Sequence, residues 1–246
     1  LIELLKDSES DVRSSAAVAL GNIGTEAAIS GLIELLKDSE SDVRSRAAEA
    51  LGNIGTEAAI SGLIELLKDS ESDVRSRAAE ALGNIGTEAA ISGLIELLKD
   101  SESDVRSSAA VALGNIGTEA AISGLIELLK DSESDVRSRA AEALGNIGTE
   151  AAISGLIELL KDSESDVRSR AAVALGNIGT EAAISGLIEL LKDSEYIVRS
   201  RAAVALNKID KKTHSVVITL SQWINEHQDS EYIGYAINLL WELVCG

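Results

Sequence analysis

The residues best suited to chemistry in this sequence are clustered carboxylates and paired glycines, because histidine and cysteine are almost absent. Asp38-Ser39-Glu40-Ser41-Asp42, with Glu49 following, sets oxygen donors at a spacing close to that of a calcium loop. That loop needs glycine at its sharp turn, and Val43 stands in its place, already inside a helical pattern. The segment reads as a solvated turn. Gly52-Asn53-Ile54-Gly55 offers glycines for a phosphate cradle, yet it ends a helix, where the dipole is negative, and no Lys-Ser/Thr follows. His214 and His227 have no second histidine or cysteine at ligand spacing and read as surface residues. Serines are frequent, but none has a nucleophile-elbow context or a plausible His and Asp partner. The expectation is therefore a protein without catalytic residues, metal or cofactor.

The carboxylates and glycines recur because the whole chain repeats. The block from Gly31 to Ser61 starts again at Gly62, Gly93, Gly124 and Gly155, a period of 31 residues. A partial copy opens the chain at Leu1 and a diverging one begins at Gly186. Periods of this length mark stacked supersecondary units, none able to bury its apolar face alone.

Two helical patterns alternate within a unit. From Thr56 to Lys68, Ala59, Ile60, Leu63, Leu66 and Leu67 recur at helical spacing, opposite a wet face of Glu57, Ser61, Glu65 and Lys68. Thr56 is the expected N-cap. After the polar turn Asp69 to Asp73, a second helix is predicted from about Asp73 to Ile85, burying Val74, Ala78, Ala81, Leu82 and Ile85. Gly86 is placed to close it in a left-handed conformation, and Gly83 to admit a neighbouring helix closely. The result is an antiparallel hairpin, stacked on its copies.

The string LIELLKDSESDVRSRAAEALGNIG, with Asp ending the first helix and Val-Arg opening the second, resembles short HEAT-like repeats. It is also similar to the 31-residue consensus of artificial HEAT-like repeat proteins. The resemblance covers about residues 1–210 and implies an all-α fold, a right-handed solenoid of stacked antiparallel hairpins. It departs from the family at Gly31, Gly62, Gly93, Gly124, Gly155 and Gly186, where proline is common. It implies an Asp–Arg ladder between repeats, through Asp7, Asp38, Asp69, Asp100, Asp131, Asp162 and Asp193, and Arg13, Arg44, Arg75, Arg106, Arg137, Arg168 and Arg199. The chain supports this on its own terms: an arginine in the first turn of a helix opposes the dipole and calls for a nearby anion.

Beyond Gly186 the pattern drifts. Tyr196-Ile197 replaces Ser-Asp, and Asn207-Lys208-Ile209-Asp210 replaces Gly-Asn-Ile-Gly. A polar link at Lys211-Lys212 is expected, then a helix from Ser215 to His227. Asp229 to Ile233 restates Asp193 to Ile197 and opens a last helix, with Tyr235 where the ladder arginine would stand. Residues 211–246 thus read as a degenerate capping hairpin on a 1–210 array, with Trp223 and Trp241 in the cap core. Leu1 falls in mid-motif and no methionine occurs, so the chain reads as a piece of something longer, with an uncapped N-terminal face on which another copy could stack.

Where near-identical copies differ is informative. In the first six units differences fall at two positions of the second helix: Ser15, Arg46, Arg77, Ser108, Arg139, Arg170, and Val18, Glu49, Glu80, Val111, Glu142, Val173. Three residues apart, they share one face, continued by Asp42 before and Asn53 after. The exposed Glu34, Glu65, Glu96, Glu127, Glu158 and Glu189 of the first helices never vary. In HEAT-like proteins the variable face lines the concave side, and second helices about 10 Å apart would make a groove of roughly 60 to 70 Å. Arginines run along its middle as far as Arg201, and toward the C-terminus it turns apolar and aromatic through Val173, Tyr196, Ile197 and Val204. A protein or peptide partner is expected there, since Tyr, Arg and apolar side chains dominate binding hot spots. An enzyme subunit like the HEAT-like bilin lyases and an engineered array are the alternatives; the cap also resembles the ends of repeat arrays on bacterial NTPase signalling proteins.

Composition sets the remaining bounds. A net charge of -19 repels phosphate backbones and anionic membranes, so neither nucleic acid nor membrane is an expected partner. Aromatics are only 2%, which leaves the core to Leu, Ile, Val and Ala. Cys245 alone allows no intrachain disulfide, and with no signal peptide or long apolar run the expected setting is cytoplasmic.

Overall fold

A computed structural model describes residues 1–230 and 232–245, with the backbone alone at 212 and 213; Glu231, in the turn expected from Asp229 to Ile233, lies outside the described residues. Among them there is no strand. Short helices α2 (Ile29–Leu35), α4 (Ile60–Leu66), α6 (Ile91–Leu97), α8 (Ile122–Leu128), α10 (Ile153–Leu159) and α12 (Ile184–Glu189) alternate with longer ones. The longer ones are α1 (Ser10–Ile23), α3 (Ser41–Ile54), α5 (Ser72–Ile85), α7 (Ser103–Ile116), α9 (Ser134–Ile147), α11 (Ser165–Ile178) and α13 (Tyr196–Thr213). Then α14 (Val216–Glu226) and α15 (Ile233–Cys245) end the chain. It forms two compact units, Leu1–Gly124 and Leu125–Gly246. In the first, α1 packs on α3, α3 on α5 and α5 on α7; in the second, α9 packs on α11 and α11 on α13.

The first helix of a repeat is shorter than its periodicity suggests. The Thr56 hydroxyl accepts from the Ala58 N–H at 3.3 Å, and the Ala59 N–H reaches the Thr56 carbonyl at 3.3 Å. Those bonds tighten Glu57–Ala59 into a 3-10 turn ahead of α4. At the far end Leu67, Lys68 and Asp69 N–H groups also bond three residues back, so the closing turn is tight as well. Gly62 lies between these ends, where the Leu36 Cδ1 of the preceding repeat would come within 2.7 Å of a Cβ. The glycine makes room for a leucine, and no proline is needed.

The second helix is buried more widely than expected. Val74, Ala78, Ala81 and Leu82 are in the core as predicted, but so is Ala79, while Ile85 is half-exposed. The reason is that α5 is flanked by second helices on both sides, α3 and α7, besides its own α4. Small residues permit that closeness: a Cβ on Gly83 would sit 2.6 Å from the Ala112 Cα. Gly86 ends the helix at φ 75°, the left-handed conformation expected of it.

The seventh repeat departs from the expected link. No break occurs at Lys211-Lys212; α13 continues to Thr213, because Asp210 occupies the place of the glycine that stops every earlier second helix. His214 takes the left-handed stop instead, at φ 55°. The buried Asp210 carboxylate then accepts the Val216 N–H at 3.0 Å and starts α14. In the cap, Trp223 is buried and donates to Glu189 at 2.9 Å. Trp241, expected in that core, is 70% exposed on the outer side of α15. His227 is half-exposed, with its ring stacked on Trp223 at 4.3 Å.

Candidate interaction surface

The Asp–Arg ladder fixes the second helices against one another. Arg44 Nε and Nη2 donate to both Asp69 carboxylate oxygens at 2.8 and 2.9 Å, and its Nη1 donates to the carbonyls of Asp38 and Ser39. Arg13–Asp38, Arg75–Asp100, Arg137–Asp162 and Arg168–Asp193 repeat this fork within each compact unit. The Asp69 Oδ1 also accepts the Glu71 N–H at 3.0 Å. Burial alone would raise the Asp69 carboxyl, but the Arg44 and Glu71 hydrogen bonds outweigh it and hold it below the ordinary carboxylate range. At Asp38 the arginine bond is the leading cause of the same lowering. Both Asp38 oxygens are thereby committed, so the acidic turn is structural.

The variable stripe lies on a partly exposed face of the second helices, but its charges are largely spoken for. Arg46 Nη1 meets Glu49 at 3.1 Å and Arg77 Nη1 meets Glu80 at 2.6 Å. The second Glu80 oxygen accepts from Ser108 of the following repeat at 3.3 Å. In the second unit Glu142 holds Arg139 at 3.1 Å and Arg170 at 3.2 Å. Each stripe glutamate therefore neutralises its own helix's arginine, and Glu80 and Glu142 also reach forward to the next second helix. The arginine row that the sequence suggested is not a row of free cations. Val111, its neighbour in the stripe, is half-buried.

The pattern fails at α13. There Val173 replaces the glutamate that would reach forward to Arg201, and Val204 replaces the one on Arg201's own helix. Among the described residues Arg201 makes no ion pair or side-chain hydrogen bond. It lines a groove of about 350 Å³ with Asp135, Ser138, Arg139, Asp166, Ser169, Arg170, Val173 and Ile197. Tyr196, Ile197 and Val204 are exposed at 64%, 43% and 47%. Ser138 and Ser169 turn inward, donating to the Asp135 and Asp166 carbonyls at 3.0 Å. The two aspartate side chains are exposed and unpaired among the described residues.

The last ladder arginine is held differently. Arg199 Nη1 keeps its carbonyl acceptors on Asp193 and Ser194, while its guanidinium lies 5.8, 5.2 and 4.9 Å from the rings of Tyr196, Tyr232 and Tyr235. The expected substitution of Tyr235 for the ladder arginine thus acquires a contact, Arg199 Nη2 to the Tyr235 hydroxyl at 3.5 Å. Tyr196 belongs to both this cluster and the groove edge.

Helix hairpins at this period, joined by an Asp–Arg ladder, agree with what sequence comparison finds. A model of HEAT repeats matches overlapping windows from residues 1–83 to 153–240. The chain belongs to the HEAT-repeat family. No curated protein sequence matches the HEAT chain significantly. Among solved structures, it is similar to the complex of CpcE and CpcF of phycocyanin lyase from Nostoc sp. PCC7120, at 26% identity and TM-score 0.60 over 99% of this chain and 93% of that one. An engineered protein is 32% identical, with TM-score 0.59 over 74% of this chain and 98% of its own. The Escherichia coli protein YibA matches at 28% identity and TM-score 0.67, over 97% and 90% of the two chains. The array has no helix, among the described residues, long and apolar enough to cross a membrane. Those residues also contain no group of three His, Cys, Asp or Glu side chains that could hold a metal.

Proposed function

We propose that this HEAT array is a protein-binding scaffold that holds a protein or peptide segment on its second-helix face, most strongly around α11 and α13. One observation carries the reading: the charge-paired stripe of the earlier repeats gives way to exposed Tyr196, Ile197 and Val204 beside Arg201, which has no counter-ion among the described residues. Exposed aromatic and apolar side chains grouped with arginine are the composition of interface hot spots. The face is non-catalytic in this reading, and no cofactor takes part.

The test is calorimetry with a partner captured on the full chain, comparing the native protein with a variant in which Tyr196, Ile197 and Arg201 are all alanine. A loss of affinity of tenfold or more is expected, the order of a hot-spot truncation. Unchanged affinity would remove the site from this face. A second reading, a bilin-lyase-like enzyme subunit, draws on the similarity to the phycocyanin lyase complex. It requires a spectral change when the chain is mixed with an open-chain tetrapyrrole.

A further inference from the structure

The groove beside α13 carries enough asymmetry to specify what it takes. This inference rests on the reading of the second-helix face as a binding surface and deepens it. Its lining includes, from the first turns of α9 and α11, the carboxylates of Asp135 and Asp166, unpaired among the described residues. It also includes Val173 of α11, Ile197 of α13 and the Arg201 guanidinium, likewise unpaired among the described residues. Every earlier repeat carries an aspartate at the Ile197 position, namely Asp11, Asp42, Asp73, Asp104, Asp135 and Asp166, so the groove changes from acidic to apolar within one repeat.

We infer that the groove binds a peptide segment of a protein partner that carries a carboxylate for Arg201, an aliphatic side chain for Val173 and Ile197, and a basic side chain for Asp135 and Asp166. Charge decides the class. A chain of net charge -19 repels polyanions, so nucleic acid or an anionic bilayer gains little from a single free arginine. One carboxylate flanked by apolar and basic groups escapes that repulsion and still pairs with the cation. The apolar contacts exclude water around the pair, which strengthens it relative to an exposed one.

The repeats themselves supply the control substitutions. Val173→Glu copies Glu142, which reaches forward to Arg170 at 3.2 Å, and so should give Arg201 an internal partner. Ile197→Asp copies Asp166 at a helix first turn, where an acid is favourable. Both restore what other repeats already tolerate, and circular dichroism confirms that each variant is folded.

The experiment pans a displayed library of short random peptides on the intact array and titrates the enriched peptides against the native protein, Arg201→Glu, Val173→Glu and Ile197→Asp. Enriched peptides are expected to carry Asp or Glu next to Leu, Ile or Val, with Lys or Arg further along. Affinity should fall about tenfold in each variant, and Arg201→Glu should select peptides with a basic residue in place of the acid. Peptides that bind and lose affinity with Ile197→Asp, yet ignore Arg201→Glu and Val173→Glu, would overturn the charge assignment and leave the binding face standing. Failure to enrich any peptide on the native chain would overturn the binding face itself.

Discussion

At the level of single residues, the glycines separate two kinds of close approach. A Cβ at Gly83 would strike the Ala112 backbone, whereas one at Gly62 would strike only the end of the Leu36 side chain. Gly83→Ala is therefore expected to lower stability by about 1–3 kcal/mol, since two helix backbones must part. Gly62→Ala should be near neutral, because a leucine rotamer can yield and alanine adds up to about 1 kcal/mol of helix propensity. Urea unfolding of the two variants measures the difference directly. Gly83 was readable in sequence as a costly residue inside a helix, which implies a reason in packing. The role of Gly62 was not, because nothing local in the sequence says that a leucine 26 positions earlier points at it. Trp241 shows the same limit: an apolar residue at helical spacing has an inner side only if another element covers it.

At the level of elements, the ladder was legible from one anomaly, an arginine opposing the dipole in every repeat. Its acid response follows from the carboxylates. Asp38, Asp69, Asp100, Asp162 and Asp193 all sit below their ordinary pKa in the folded chain, held by arginine and backbone N–H donors against the opposing effect of burial. A depressed folded pKa stabilises above the unfolded value, about 4, and that contribution is lost as pH falls through the folded values. Thermal melts should show Tm constant from neutral pH to about 5 and falling steeply below 4. Asp69→Asn should lower Tm at neutral pH and flatten that acid fall, and a variant as acid-sensitive as the native chain would contradict the ladder's part in it. The cap was less legible than the ladder. That α13 runs past Lys211-Lys212 depends on Asp210 standing where earlier helices have glycine, a change visible in the sequence whose consequence lay in what Asp210 caps.

At the level of the whole molecule, repetition made the fold readable and left the function to its exceptions. Identical copies fix the core, the turns and the ladder together, so a single reading of one repeat serves all of them. The stripe of variable positions was equally visible. Its electrostatics were not, because the pairing of Glu80 with Ser108 and of Glu142 with Arg170 links helices 28 residues apart. The excess negative charge also predicts a response to salt. Ladder side chains such as Arg44 and Asp69 are only 13% and 10% exposed and are screened weakly, whereas the repulsion among surface carboxylates is screened strongly. Tm should therefore rise between low and moderate ionic strength.

The binding face itself is tested most directly by making the seventh repeat like the others. Tyr196→Ser and Ile197→Asp return two positions to the residues of every earlier repeat, and Val204→Glu copies Glu49, Glu80 and Glu142; the Asp–Arg forks and the core stay intact, and the Tyr196 ring contact with Arg199 is lost. Calorimetric titration of a captured partner against this variant and the native chain, both with the same helical circular dichroism, should show binding lost or weakened at least tenfold. Equal affinity for the two proteins would contradict a partner site on the second-helix face of α13.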